Sequence, residues 1–143
     1  MRTFFQDVGE FHKKFDLPRY TVQGDPRMAG SAAPRILPDD ELAFRTKFMV
    51  EELQEFRDAC AAKDVAKAAD ALVDLVYVAL GTAHMMHVPF DECWDTVQEC
   101  NMQKERANSA SDPRSTRKHR FDVVKPKGWK PPDLTKILSL RRG

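Results

Sequence analysis

The chain has 143 residues, 42% hydrophobic and 31% charged, which is typical of one folded domain with its own core. Its formal net charge is +1, so overall charge gives no reason to expect binding to nucleic acid or to a membrane. The three cysteines indicate reduced thiols, and no segment has the apolar length of a signal peptide or membrane span, so we expect a cytoplasmic protein.

The N-terminal part of the chain predicts one helix, one loop and the start of a second helix. Phenylalanines spaced by three and four predict a helix over residues 3–15, which Pro18 ends. The segment 19–38 contains several Gly and Pro residues without periodicity and is predicted to be a loop. Asp39 and Asp40 then favour a helix start, because carboxylates accept the unpaired N–H groups of the first turn.

Two long helices are predicted next, over residues 41–60 and 65–86. The middle of the second, from Ala71 to Leu80, is apolar on nearly all sides, which indicates burial at a bundle centre or in an oligomer interface. Strand is the competing interpretation because Val and Tyr are frequent here, but the length and Ala content favour helix. We therefore predict an all-α fold, a bundle of about four main helices completed by homo-oligomerisation.

The C-terminal third of the chain is predicted to be less regular. A fourth helix is predicted over 90–107, and the Ser-, Asn-, Pro- and Arg-rich segment 108–120 is predicted to be a mobile loop. Prolines in 121–143 predict an irregular tail. The whole chain, 1–143, is thus interpreted as a single all-α domain with a core of about 3–107.

Two groups of carboxylates lie on the second and third predicted helices. At about 100° per residue, Glu51, Glu52 and Glu55 share one sector of a helix, whereas Asp70 and Asp74 lie one turn apart. Facing carboxylates repel unless a divalent cation lies between them, and Mg²⁺ prefers oxygen ligands. A solvated charged face is the competing interpretation of the glutamates alone, but aspartates in an apolar segment are costly to bury. We therefore predict that all five bind Mg²⁺, for which Mn²⁺ could substitute.

Four other residues of these helices are predicted to have mainly structural roles. Arg45 and Lys47 could contact phosphate, but surface ion pairs are the favoured interpretation. His84 and His87 have ligand-like spacing but no obvious third ligand, so we expect capping of the last helical carbonyls rather than a zinc site.

The order of the motifs resembles that of a known superfamily. The motifs are Glu51-Glu52-Leu53-Gln54-Glu55, Asp70-Ala71-Leu72-Val73-Asp74-Leu75-Val76-Tyr77-Val78, Gly81-Thr82-Ala83 and Asn101-Met102-Gln103-Lys104. Together they resemble the all-α nucleotide pyrophosphohydrolases over residues 3–105, especially the small MazG-like and phosphoribosyl-ATP-pyrophosphohydrolase-like proteins. The resemblance implies hydrolysis of a nucleoside triphosphate between the α and β phosphates and dependence on magnesium. It also implies a homodimer or homotetramer with active sites near the subunit interface.

The second half of the family's carboxylate pattern is altered in this chain. The pattern is an E-x-x-E helix that faces an E-x-x-D helix, and Asp74 matches the final Asp. The residue three positions before it is Ala71 rather than Glu. Either Asp70 supplies the missing oxygen, or Lys67 and Asp70 occupy the two positions in a shifted register.

Candidate substrate-binding residues lie on the fourth helix and in the tail. By resemblance, Asn101 would contact the base or sugar and Lys104 a phosphate. Lys125, Lys127 and Trp129 could fold over the nucleotide, with the indole stacked on a base, or could pack on a neighbouring subunit.

The sequence therefore predicts a Mg²⁺-dependent nucleoside triphosphate pyrophosphohydrolase, a hydrolase of phosphoanhydride bonds that removes or adjusts nucleotides. Glu52 and Glu55 match the E-x-x-E motif and are the predicted catalytic residues, with Glu52 orienting the attacking water. One alternative is phosphoribosyl-ATP pyrophosphohydrolase of histidine biosynthesis. The other is a non-catalytic, nucleotide-binding helical oligomer, which the departure at Ala71 would favour.

Overall fold

The computed structural model describes residues 1–18 and 34–139, and these residues are mostly helical. The elements are α1 (Phe4–Lys14), α2 (Asp39–Ala61), α3 (Val65–Met85), α4 (Phe90–Asn101), β1 (Glu105–Arg106), β2 (Val123–Val124) and α5 (Thr135–Ser139). The four main helices confirm the predicted all-α fold. Most of the predicted loop, residues 19–33, lies outside the described residues.

The chain forms two compact units. The first comprises Met1–Asp91 with Ile137–Gly143, and the second comprises Glu92–Lys136. No single helix in the described part of the chain is long and apolar enough to cross a membrane; α3 and α4 reach that length and composition only when taken together across a sharp bend.

α2 and α3 form a helical hairpin, which is the main packing contact of the first unit. The turn between them is short, because the N–H of Asp64 already donates to the carbonyl of Ala59 at 2.9 Å. The Asp64 side chain then accepts a hydrogen bond from the N–H of Lys67 at 3.0 Å and caps α3. This hairpin fixes the two helices on which all five predicted carboxylates lie.

Arg45 is buried between α2 and α3, so its interpretation as a surface ion pair was wrong. Its Nε donates to Oγ1 of Thr82 at 3.1 Å, and one terminal nitrogen donates to the carbonyl of Val78 at 2.9 Å. Gly81 makes this possible, since a Cβ at that position would lie 2.6 Å from the guanidinium and would also meet the ring of His12. Burial, the largest cause, lowers the pKa of Arg45 from its ordinary value.

The side chain of His84 connects α3 to α1. The sequence had predicted only that His84 caps the last carbonyls of α3. Its Nε2 lies 2.7 Å from the carbonyl oxygen of Phe5, and its ring stacks on the Phe5 ring with centroids 3.7 Å apart. The prediction missed this contact because the spacing of two histidines along one helix gives no information about a neighbouring helix.

α4 ends at Asn101, so the predicted helix over 90–107 was too long. The N–H of Lys104 donates to the carbonyl of Asn101 at 3.1 Å in a turn, after which β1 pairs with β2 in antiparallel register. The tail is correspondingly more regular than predicted, since it contains β2 and α5. The partner of β1 lies far along the chain, which local periodicity cannot show.

The segment between the two strands, which was predicted to be mobile, is held by buried polar side chains. Asp112 accepts hydrogen bonds from the N–H groups of Asn108 at 2.9 Å and Arg114 at 3.0 Å. Asp122 accepts one from Oγ of Ser115 at 2.7 Å. Both aspartates and Ser115 are buried, so this loop is organised by hydrogen bonds rather than by an apolar core.

Candidate active site

The α2–α3 hairpin places three of the predicted metal ligands near a fourth, Glu52. Glu52 lies at the centre, with only 9% of its surface exposed. Glu55, one turn along α2, and Asp74 and Asp70 on α3 are near enough for their charges to act on it. Glu51 is exposed and is not among the groups that act on Glu52.

The surroundings of Glu52 disfavour its charge. Burial is the largest cause that raises the pKa of Glu52, followed by the negative charges of Glu55 and Asp74. A hydrogen bond with Glu55 and the charge of Asp70 raise this pKa further. A carboxyl in such an environment holds a proton more readily than an exposed glutamate does.

One oxygen of Glu52 has no hydrogen-bond partner. Its Oε2 is buried and makes no hydrogen bond within the described residues. Over the same residues, no lysine or arginine forms an ion pair with Glu52, Glu55, Asp70 or Asp74. A buried acceptor without a partner costs about 1–3 kcal/mol, so this arrangement is destabilised unless a proton or a cation joins it.

The donor chemistry of the cluster fits a hard cation, although its present geometry is not that of a coordination shell. In residues 1–18 and 34–139, no three His, Cys, Asp or Glu side chains are arranged to hold a metal ion. The available donors are all carboxylate oxygens, the ligand type that Mg²⁺ and Mn²⁺ prefer. Glu55 and Asp70 are exposed, so their side chains are free to change rotamer toward the partnerless Oε2 of Glu52.

Ala71 occupies a buried position on the same stretch of α3. Only 3% of its surface is exposed, although the resemblance predicts a glutamate there. Lys67, the other candidate for that role, is exposed at the start of the helix. The charge of Asp70 is the smallest of the causes that raise the pKa of Glu52, so Asp70 lies near this cluster.

The second unit contains the predicted substrate-binding residues and brings three of them together. The ammonium groups of Lys104 and Lys125 lie over the Trp129 ring, 5.1 and 5.0 Å from its centroid. Asn101 and Lys127 are exposed.

The turn that orients Trp129 is a feature that the sequence interpretation missed. The N–H of Trp129 donates to the carbonyl of Pro126 at 3.0 Å, and Gly128 has φ +82°. This is the geometry of a type II turn, whose third residue favours glycine. Gly128, at the third position of the turn, was a usable signal for it.

A comparison with known families agrees with the order of the carboxylate motifs. The sequence model of the phosphoribosyl-ATP pyrophosphohydrolase family matches residues 8–101, well over half of the chain and all of the α2–α3 hairpin. No curated protein matches the chain at a significant level. The match confirms the resemblance drawn from the sequence and identifies the protein as a hydrolase of phosphoanhydride bonds. The chain therefore belongs to the phosphoribosyl-ATP pyrophosphohydrolase family.

Proposed function

We propose that the protein is a Mg²⁺-dependent nucleoside triphosphate pyrophosphohydrolase. It would cleave the bond between the α and β phosphates and release a nucleoside monophosphate and pyrophosphate. The observation that supports this most is the buried, partnerless oxygen of Glu52 among Glu55, Asp70 and Asp74. A cation would stabilise acidic side chains in this arrangement, and a triphosphate brings one to them.

The carboxylates that surround Glu52 are the proposed metal ligands. Glu52, Glu55, Asp70 and Asp74 would hold the ion, with Glu51 at the periphery. When bound, Mg²⁺ would neutralise phosphate charge and lower the pKa of water at the site. Mn²⁺, which accepts the same oxygen donors, would substitute.

Glu52 is the proposed base. Its raised pKa means that it accepts a proton more readily than an ordinary glutamate, and its burial limits the positions that the carboxylate can take. It would orient a water molecule toward the phosphate and take up the proton that the water loses. Glu55, which shares a hydrogen bond with it, would hold the carboxylate in that position.

Phosphoribosyl-ATP is the second candidate substrate. The family match over residues 8–101 favours it, because the family is described by that activity. The same chemistry applies, since this substrate also carries a triphosphate that is cut between its α and β phosphates. The segment after residue 101 lies outside the match and contains the lysines and tryptophan proposed to bind substrate, so it is expected to decide between the two.

The first test is pyrophosphate release from a panel of ribo- and deoxyribonucleoside triphosphates and phosphoribosyl-ATP, with Mg²⁺ or with EDTA. We expect release only with Mg²⁺, and a loss of at least 100-fold in Glu55→Gln. Asp58→Asn is the matched control, because Asp58 is exposed on the same helix and bonds only to Gln54 among the contacts described. Release that persists in EDTA, or equal activity of both variants, would contradict the proposal.

We also propose that the protein acts as a homodimer in the cytoplasm. α1 and α3 line an open apolar groove of about 410 Å³. Its lining includes Phe4, Leu72, Val73 and Val76, which are 46–78% exposed. A second copy of the chain would cover this face, since such a cluster of exposed apolar side chains is unfavourable in water. The free thiols of Cys60, Cys93 and Cys100 agree with a reducing compartment.

A further inference from the structure

The segment that follows the family match is strongly basic. Residues 104–130 contain nine Lys and Arg residues but only three Asp and Glu residues, in a chain whose total charge is +1. The three acids are already engaged: Glu105 and Asp112 pair with Arg114, and Asp122 pairs with Arg117. The remaining cations of this segment therefore have no acidic counterpart within it.

Two of these cations are held against one aromatic ring. The Nζ atoms of Lys104 and Lys125 lie 5.1 and 5.0 Å from the Trp129 centroid, so both ammonium groups lie near the same ring. Neither forms an ion pair with a carboxylate in the part of the chain that the structure describes. Each ammonium is attracted to the electron-rich face of the indole, so one side chain holds two positive charges next to it.

The ring is fixed from two directions. The type II turn over Pro126–Trp129 sets its backbone, and the indole Nε1 donates to the carbonyl oxygen of Cys100 at 2.8 Å. Cys100 lies in the last turn of α4, just before Lys104, whereas Lys125 follows β2. One tryptophan thus orders two lysines that come from distant parts of the sequence.

We propose that Lys104 and Lys125 form a clamp for an oligophosphate and that Trp129 is its positioning residue. The ligand would be the phosphoanhydride chain of a nucleoside triphosphate, or the pyrophosphate that is released from it. The identification of that ligand rests on the proposed function, whereas the clamp itself rests on the geometry of the second unit.

Several observations favour an oligophosphate over a nucleobase on this ring. The two ammonium groups already lie over the indole, so a stacked base would have to displace them. An oligophosphate carries several negative charges a few ångströms apart, which suits two cations better than a single carboxylate does. The indole N–H is also engaged by Cys100 and cannot contact a base.

Fluorescence of Trp129 provides a direct binding assay. In a Trp94→Phe background Trp129 is the sole tryptophan, and sodium tripolyphosphate is titrated in EDTA, so that no metal or hydrolysis contributes. We expect a saturable change in emission with tripolyphosphate and with pyrophosphate. We expect none with adenosine or guanosine, and saturation by a nucleoside alone would overturn the clamp in favour of a base platform.

Charge variants separate a clamp from general attraction to a basic surface. Lys104→Gln and Lys125→Gln are each expected to weaken tripolyphosphate binding at least tenfold. The matched control is Lys130→Gln, an exposed lysine next to Trp129 that is expected to change affinity less than twofold. Equal weakening of tripolyphosphate binding by all three variants would overturn the proposal. Binding of a phosphate-free polyanion with the same affinity as tripolyphosphate would also overturn it.

Ring variants test the positioning role by calorimetry, since they remove the fluorophore. Trp129→Phe keeps an aromatic face and is expected to retain affinity within about threefold, whereas Trp129→Leu should lose at least tenfold. If Trp129→Leu, with an unchanged circular dichroism spectrum, binds as the wild type does, the ring does not position the lysines.

The clamp and the proposed enzyme function can fail independently. If tripolyphosphate binds in EDTA but no nucleotide of the panel releases pyrophosphate with Mg²⁺, the clamp stands and the proposed enzyme function is wrong. If the wild type and Lys125→Gln release pyrophosphate with the same KM, the enzyme function stands and the clamp is wrong.

Discussion

Glu52 is a buried residue whose negative charge is disfavoured by its surroundings. Because its pKa is raised in the folded state, it contributes stability that is fully present below its unfolded pKa and lost as pH rises through its folded pKa. Without metal, the protein should therefore be less stable at neutral pH than in mild acid, as far as this group is concerned. The same property that suits Glu52 to accept a proton weakens the fold around it.

Replacing Glu52 by Gln removes that charge and keeps the shape. In EDTA at pH 7 we expect Glu52→Gln to stabilise the protein by about 1 kcal/mol, or roughly 3 °C in Tm, because no ionised group is left in the buried position. The gain should disappear at a pH where wild-type Glu52 is protonated. Thermal unfolding by circular dichroism measures both values, with Asp58→Asn as the control.

With Mg²⁺ we expect the wild type to be more stable than Glu52→Gln. Binding to the folded state alone raises the Tm of the wild type, whereas Glu52→Gln should gain little from the ion. If Glu52→Gln is less stable than the wild type in EDTA, or if Mg²⁺ stabilises it as much as it stabilises the wild type, Glu52 does not belong to an acidic cation site.

At the scale of elements, the loop between β1 and β2 depends on Asp122. Hydrogen bonds from Ser115, the largest cause, and from Arg117 lower the pKa of Asp122 from 3.8 to about 2. A carboxylate with a lowered pKa contributes stability that is present above its unfolded pKa and lost as pH falls through its folded pKa. The loop should therefore open between about pH 4 and pH 2.

Trypsin reports on the loop at neutral pH, since it cuts after Arg117, Lys118 and Arg120 only when the segment opens. Asp122→Asn loses the ion pair and is expected to be cut at least tenfold faster at these sites. Glu99→Gln, an exposed change in α4, is the control. Equal cleavage rates for the two variants would contradict the role given to Asp122.

The same elements show what the sequence could and could not predict. The starts of α2, α3 and α4 were predicted to within about two residues, because apolar periodicity and N-terminal aspartates are local signals. The end of α4 was missed because Glu105 and Arg106 pair with residues far along the chain. Likewise, the spacing of Glu52 and Glu55 indicated a shared face, but only the packing of α2 on α3 shows that Glu52 is buried and Glu51 is not.

For the whole molecule, the exposed apolar face of α1 and α3 predicts self-association. A charge placed on it, Val73→Glu, should convert a dimer into a monomer because the ion would have to be buried at the interface. Light scattering during size-exclusion chromatography measures the mass. Val65→Glu is the control, since Val65 is also exposed on α3 but lies outside the groove. Identical masses for the two variants would locate any interface elsewhere.

The loop between β1 and β2 also has a consequence for how such a protein can diverge. An element held by Asp112, Ser115 and Asp122, rather than by a packed apolar interior, places few demands on the side chains that it exposes. Exposed side chains outside that network, such as those of Lys118 and Arg120, can therefore be exchanged without loss of the fold, while residues 8–101 keep the family sequence. New substrate preferences could arise in this segment by point substitution, leaving the hydrolytic chemistry inherited and intact.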